Sequence, residues 1–301
     1  MTKKFLIYSF PILFLFIVLS IFEPWIYQNI FASDDISTLK GKTFKVIAHR
    51  GASGYAPENT LSAIEKALEL GVDMIDVDVR MTKDERIVLM HDATVDRTTD
   101  GTGLVKEMTF DEIRNLDAGI KFDSKFTAEK VPTLREVLDL VDGRAVVLIE
   151  IKHEQDHHED FAERLVNIIQ NERNGYEWCI LQSYEADYLE IVHEIDEKIQ
   201  TKKLLVGEDS APLIAFYMET KVQLGRATKR DEENLEALNP PYETLSAKRI
   251  FRMHARGFKV YTYLVNDEED MIKMLNAGVD GIITDYPDRL INIRKQIENL
   301  P

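Results

Sequence analysis

The sequence predicts an α/β protein, a closed (β/α)8 barrel of the TIM-barrel type, with one small insertion and an apolar N-terminal helix ahead of it. Three observations carry this. From Lys45 onward, short β-like runs alternate with amphipathic helical patterns, and repeated βα units build a parallel sheet. About eight such units fit into roughly 250 residues, the size of a closed barrel. No glycine-rich nucleotide loop follows any strand, which weighs against the open doubly wound alternative.

The N-terminus differs from the rest. Lys3 and Lys4 precede an uncharged run from Phe5 to Phe22, followed by Trp25 and Tyr27, and Pro11 interrupts it. A run of this length nearly matches a bilayer core, and aromatic residues belong at its interface. The expectation is a cytoplasmic N-terminus over 1–4, a transmembrane anchor over 5–27 and a tether over 28–44. The globular part is then extracytoplasmic, on a single-pass protein of the cell membrane. The alternative is a signal peptide cut after Ala32, with secretion of the remainder. The only cysteine is Cys179, so a lipid-linked cysteine after the run and an intrachain disulfide are both excluded. In "EWCILQS" it reads as a small buried residue.

The elements then follow in order. "KVIAH" is a strand, and "ENTLSAIEKALELG" is a helix closed by Gly71. "VDMIDVDV" and "RIVLMHD" are strands. Asp96 to Lys130 breaks the alternation and reads as the insertion, with a short helix at "TFDEIRNL". "PTLREVLDLV" is a helix with Pro132 near its start, and "AVVLIEIK" the next strand. "EDFAERLVNIIQNE" and "ADYLEIVHEI" are helices around the strand "CILQS", and "KKLLVG" is a strand. Glu208 to Pro241 is charged and resists assignment, so the fifth and sixth units have no fixed register there. "SAKRIFRMHARG", "KVYTYLV", "DEEDMIKMLNAG", "GIITD" and "PDRLINIRKQIEN" complete the alternation.

The polar residues fall at the ends of these strands, where a (β/α) barrel places its chemistry. His49 and Arg50 follow the first strand, Asp76 and Asp78 close the second, and His91 and Asp92 end "RIVLM". Glu150 and Lys152 close "AVVLIEIK". Residues two apart on a strand share a face, so Asp76 and Asp78 look the same way. Carboxylates resist shared burial unless something neutralises them. Three of them at one barrel mouth call for a cation, and hard oxygen donors select Ca2+ or Mg2+. Asp76, Asp78 and Glu150 are the expected metal ligands. Histidines beside a metal provide acid–base chemistry near neutral pH, and Arg50 and Lys152 add fixed positive charge suited to a phosphate. The reaction class is metal-assisted phosphoryl transfer or phosphodiester hydrolysis. The net charge of −16 argues against a nucleic-acid partner.

Taken together, "HRGASGYAPENTLSAIEKALELG", "DVDVRMTKDERIVLMHDATVDRTTDGTG", "VPTLREVL", "IEIK", "LQSYEADYL" and "AGVDGIITDYPDRL" resemble the glycerophosphodiester phosphodiesterase family over roughly Lys45 to Leu290. The resemblance is loose from Glu208 to Pro241. It implies a (β/α) barrel with an inserted segment. It also implies hydrolysis of glycerophosphodiesters to an alcohol and sn-glycerol 3-phosphate, usually with Ca2+ or Mg2+. The family's catalytic histidines fall on His49 and His91, its phosphate-binding cations on Arg50 and Lys152, and its metal carboxylates on Asp76, Asp78 and Glu150. Glu58 belongs to the motif as a supporting residue that orients Arg50 or caps the following helix. Two departures stand out. The family usually has glutamate at Asp76, and a tryptophan and threonine where this chain has Tyr263 and Leu264. Two rival readings follow: a lysophospholipase D-type enzyme of the same fold, and a binding protein weakened in turnover by Asp76. His153, His157 and His158 read as a solvated loop.

Overall fold

The computed structural model describes residues 33–152, 158–204 and 235–300. Nine strands form one sheet: β1 (Lys45–His49), β2 (Met74–Met81), β3 (Ile87–Leu89), β4 (Val146–Ile151), β5 (Cys179–Ser183), β6 (Gln200–Leu204), β7 (Leu235–Asn239), β8 (Lys259–Thr262) and β9 (Gly281–Thr284). Their order is β1-β9-β8-β7-β6-β5-β4-β2-β3, and the further pairing of β1 with β2 closes the ring. All neighbours in that ring are parallel, so eight strands make the expected barrel.

β3 is not one of the eight. It runs antiparallel to the end of β2, with Val79 opposite Leu89 and Met81 opposite Ile87. The alternation in "RIVLMHD" correctly marks a strand, but alternation carries no direction. Only Thr82–Arg86 separate β2 from β3. Such a gap permits a hairpin and is too short for a parallel crossover. β2 therefore overshoots the barrel rim and β3 folds back, returning His91 to the rim, where Met90 N–H donates to the Asp78 carbonyl at 3.0 Å. β7 lies at the end of the stretch that resisted assignment, and residues 205–234 are outside the described residues.

Two apolar layers hold the barrel. The outward faces of the strands pack under the helices; Ile75, Val77 and Val79 share a buried cluster with Ile64, Val137 and Leu165. The inward faces form a separate plug of Ile47, Met74, Leu148, Ile180, Ala237, Tyr261 and Ile283. Two residues further along each of those segments the inward side chain is polar: His49, Asp76, Glu150, Gln182, Asn239, Tyr263 and Asp285. The barrel is thus dry at its base and polar at its C-terminal mouth.

The insertion has its own core of Val88, Met90, Val95, Val105, Ile113, Ala118 and Val131. Its short helix, Phe110–Asn115, is set by a capping box in which Thr109 and Glu112 satisfy each other's backbone N–H groups. At the opposite end of the barrel, Asn276 donates to the Ser33 carbonyl at 2.7 Å, and Leu39 is fully buried. Residues 33–44, expected as part of a tether, are therefore docked on the barrel base. The expected anchor over 5–27 lies outside the described residues. Among the described residues, no helix is long and apolar enough to cross a membrane.

Candidate active site

The first strand ends in "HRG", and its backbone turns sharply. Arg50 adopts φ 53° and Gly51 φ 81°. A Cβ on Gly51 would meet the Ala63 backbone at 2.6 Å, so glycine is required where this turn touches the Leu61–Leu70 helix. The left-handed Arg50 costs about 1–2 kcal/mol. Its carbonyl accepts from Asn59 N–H at 2.9 Å, and its Nη1 donates to Glu58 Oε1 at 2.7 Å. Glu58 thus orients Arg50, whereas the helix cap is Thr60, whose hydroxyl accepts from Ala63 N–H.

Asp78 is enclosed by partners. Its Oδ2 accepts from Asn59 Nδ2 at 2.8 Å and lies 3.1 Å from Arg50 Nε, an ion-pair distance without hydrogen-bond alignment. Its Oδ1 lies 2.9 Å from Lys152 Nζ, and the same ammonium donates to Glu150. Asp78 and Glu150 are register partners on β2 and β4. Asp76, beside His49 in the β1–β2 register, accepts from Gln182 Nε2 at 2.5 Å. Gln182 in turn accepts from Asn239 at 3.0 Å.

The two histidines are held alike. His49 Nδ1 lies 2.7 Å from Asp285 Oδ1, and Asp285 also accepts from Ser53 and Asn266 at 2.7 Å each. Burial pushes Asp285 up, but these hydrogen bonds outweigh it and bring its carboxyl down to about 2. His91 Nδ1 lies 2.6 Å from Asp92 Oδ1, and the Arg97 hydrogen bonds hold Asp92 at about 2. Burial lowers the His91 imidazole against the pull of Asp78. An ionised carboxylate can only accept, so in each pair Nδ1 carries the proton and Nε2 is left for other work.

Asp76, Asp78 and Glu150 have the donor chemistry of a hard-cation site, oxygen atoms alone, without being gathered as one. Burial, then repulsion from Asp78, pushes Glu150 up to about 8 and Asp76 up to about 6. Burial also raises Asp78, but Lys152 and Arg50 outweigh it and hold it low. Two buried carboxyls that resist ionisation beside a third that is ionised are under-neutralised by the chain's own cations, as oxygen ligands of a divalent ion would be. Among the described residues, no group of three or more His, Cys, Asp or Glu side chains stands ready to hold a metal ion. Lys152 sits between Asp78 and Glu150 instead, and it must yield some of that contact to any ion.

The structure brings His49, Arg50, Glu58, Asp76, Asp78, His91, Glu150 and Lys152 to one barrel end. His153 and His157 lie outside the described residues, and His158 begins the His158–Asn171 helix. Sequence reasoning missed Asn59, Arg97, Gln182, Asn239 and Asp285. Most of them stand inside the motifs named above, where residue type alone assigns them no task. The signal was available for Gln182 and Asp285, since each stands two residues after an inward apolar residue of its strand; Asn239 stands in the same place, but in the stretch whose register the sequence leaves open.

A parallel barrel with acids, imidazoles and cations at its C-terminal rim defines a class, the phosphoric diester hydrolases of TIM-barrel fold. Residues 49–289 match the Glycerophosphoryl diester phosphodiesterase family, and the chain belongs to that family. It is 41% identical over 249 residues to a glycerophosphodiester phosphodiesterase of Caldanaerobacter subterraneus subsp. tengcongensis, covering 82% of this chain and 96% of that protein. It is 34% identical over 263 residues to one of Bacillus subtilis, covering 83% and 86%. An Oleispira antarctica phosphodiesterase, solved in complex with the product sn-glycerol-3-phosphate, superposes with a TM-score of 0.72 at 25% identity, covering 86% of this chain and 99% of that one. The protein is an enzyme, a glycerophosphodiester phosphodiesterase.

Proposed function

We propose that the chain hydrolyses glycerophosphodiesters to an alcohol and sn-glycerol 3-phosphate with His49 and His91 as the acid–base pair. The observation that carries this is the matched pair of Nδ1–carboxylate contacts, His49 to Asp285 and His91 to Asp92, at one barrel rim. Each fixes a ring with Nε2 as the nitrogen that meets substrate. One imidazole takes the proton of the nucleophile, whether water or the glycerol 2-hydroxyl, and the other returns a proton to the departing alkoxide. Arg50, pre-aimed by Glu58, binds a phosphate oxygen, and Lys152 does the same on release from Glu150. Asp76, Asp78 and Glu150 would hold Ca2+ or Mg2+, which when bound supplies charge stabilisation to the phosphate oxygens.

The substrates in this reading are water-soluble glycerophosphodiesters, and the barrel would act outside the cell from an anchor over 5–27. Asp76 is consistent with turnover, since Gln182 and the barrel wall hold it in place.

The test is release of sn-glycerol 3-phosphate by the full-length chain from glycerophosphocholine, glycerophosphoethanolamine and glycerophosphoglycerol, beside choline release from lysophosphatidylcholine. Chelator is expected to stop the reaction and Ca2+ or Mg2+ to restore it, with Asp76→Glu still active. Binding of diester without metal-dependent turnover would overturn the proposal. Preferred cleavage of the lysolipid would favour the lipid-directed alternative.

A further inference from the structure

Arg97 lies in the insertion and has no part in the chemistry described so far. One guanidinium here grips two carboxylates. Its Nε and Nη2 donate to Asp92 at 2.7 and 3.1 Å, and its Nη1 and Nη2 donate to Glu58 at 2.7 and 2.8 Å. Each carboxylate spends its remaining capacity on a group at the reaction centre. Asp92 Oδ1 lies 2.6 Å from His91 Nδ1, and Glu58 Oε1 accepts from Arg50 Nη1 at 2.7 Å. The contacts therefore run unbroken from Arg50 through Glu58, Arg97 and Asp92 to His91.

The ends of that chain come from different parts of the fold. Arg50 and Glu58 belong to the loop after β1, and His91 and Asp92 to the return from β3. No backbone hydrogen bond ties the two loops to each other among the described residues; both are tied to Asp78, through Asn59 and Met90, and Arg97 adds a side-chain bridge across their outer ends. The insertion is built to hold it. Val95 and Thr99 flank Arg97 and are fully buried, and Thr99 donates to the Val95 carbonyl at 2.8 Å. Asp96 accepts from Gly103 N–H at 3.0 Å, and Lys121 donates to the Asp96 carbonyl. A planar fork with donors on two edges can serve both carboxylates at once; a lysine ammonium is a point charge that cannot reproduce the geometry.

We infer that Arg97 is a positioning residue, and that the insertion exists in part to deliver it. Through Asp92 it fixes the tautomer and direction of His91, and through Glu58 it fixes Arg50, so that the acid–base group and the phosphate-binding cation keep one mutual geometry. Arg97 touches no reacting atom in this scheme. The inference rests on the proposed acid–base pair, and the experiment separates the two: diester turnover by the unsubstituted chain tests that pair, and the Arg97 variants test the clamp.

The experiment measures kcat and KM for glycerophosphocholine hydrolysis by the full chain carrying R97M, R97K, D92N, E58Q, and the pairs R97M/D92N and R97M/E58Q. Thermal melts confirm that each variant is folded. R97M is expected to lower kcat/KM by at least about tenfold, part of the roughly 10²–10⁴-fold that a positioned acid–base group contributes. R97K is expected to recover only part of that loss. Because Arg97 acts through its two carboxylates, the losses should not multiply, and each pair should fall clearly short of the product of its two single losses, the shortfall being the arm the two variants share. A merely structural arginine would give multiplying losses and a fall in melting temperature that tracks activity. R97M within about twofold of the unsubstituted chain, multiplying losses, or full recovery in R97K would overturn the inference.

Discussion

The two histidines reach the same rim by different means. His49 is carried by a barrel strand, and its carboxylate partner Asp285 follows β9, the strand hydrogen-bonded beside it. Asp285 is fixed by Ser53 and Asn266, two neutral donors on neighbouring rim loops. His91 is carried by an antiparallel return outside the barrel. Its partner Asp92 is the next residue in sequence and is steadied by an arginine whose side chain is 48% exposed. One pair is part of the barrel closure; the other is assembled by the insertion. Equal Nδ1 contacts therefore conceal unequal support, rigid packing on one side and half-solvated ion pairing on the other.

The largest expected effects treat the pair as equals. His49→Ala and His91→Ala should each lower kcat by roughly 10²–10⁴-fold, measured as sn-glycerol 3-phosphate release. A tenfold or smaller loss in either would remove that histidine from the chemistry.

Next come the carboxylates, where the two sides should part. Asp285→Asn and Asp92→Asn are each expected to cost about 10–100-fold in kcat, as an orienting charge is lost. Salt should separate them. The Arg97–Asp92 contact is open to solvent and is screened as ionic strength rises, while the Asp285 contacts are neutral or more deeply buried. Activity of the unsubstituted chain should fall modestly between about 0.1 and 1 M salt, and Asp92→Asn should weaken that dependence while Asp285→Asn keeps it. Identical salt responses in the two variants would erase the distinction.

The smallest effect is on stability in acid. Asp285 stands at about 2 in the fold against an ordinary 3.8. A lowered carboxyl contributes stability that is fully present above its ordinary value and is lost as pH falls through its folded value. Melting temperature should therefore drop from about pH 4 to pH 2, and Asp285→Asn should flatten part of that drop. Asp92, also at about 2, has the same sign but a weaker effect because its partner is half in solvent. Unchanged acid sensitivity in Asp285→Asn would show that the buried side is not held by that carboxylate.

Much of this site was legible because the strands announce themselves. Aliphatic residues alternating with Asp76, Asp78 and Glu150 leave those acids little choice but the barrel interior. The direction of β3 was less open to view, since period-two alternation is the same in both directions. The short Thr82–Arg86 gap was the overlooked clue. Gln182 and Asn239 were missed because neutral amides look unremarkable in isolation. They become readable only once the inward register is known, and register failed in the charged stretch before Asn239. Arg97 was hidden for another reason. Its task depends on how the insertion folds around Val95 and Thr99, and no periodicity encodes which way a loop arginine points. For Lys152 the sequence points to a phosphate ligand, and the structure adds its contacts to Asp78 and Glu150.

The most direct test of the two-imidazole account varies the leaving group. His49→Ala and His91→Ala are compared on glycerophosphocholine and on glycerophospho-p-nitrophenol, whose phenolate departs without needing a proton. The account predicts that one variant, the one missing the acid, regains most of its lost rate on the aryl ester while the other does not. Equal behaviour of both variants on the two substrates would contradict it.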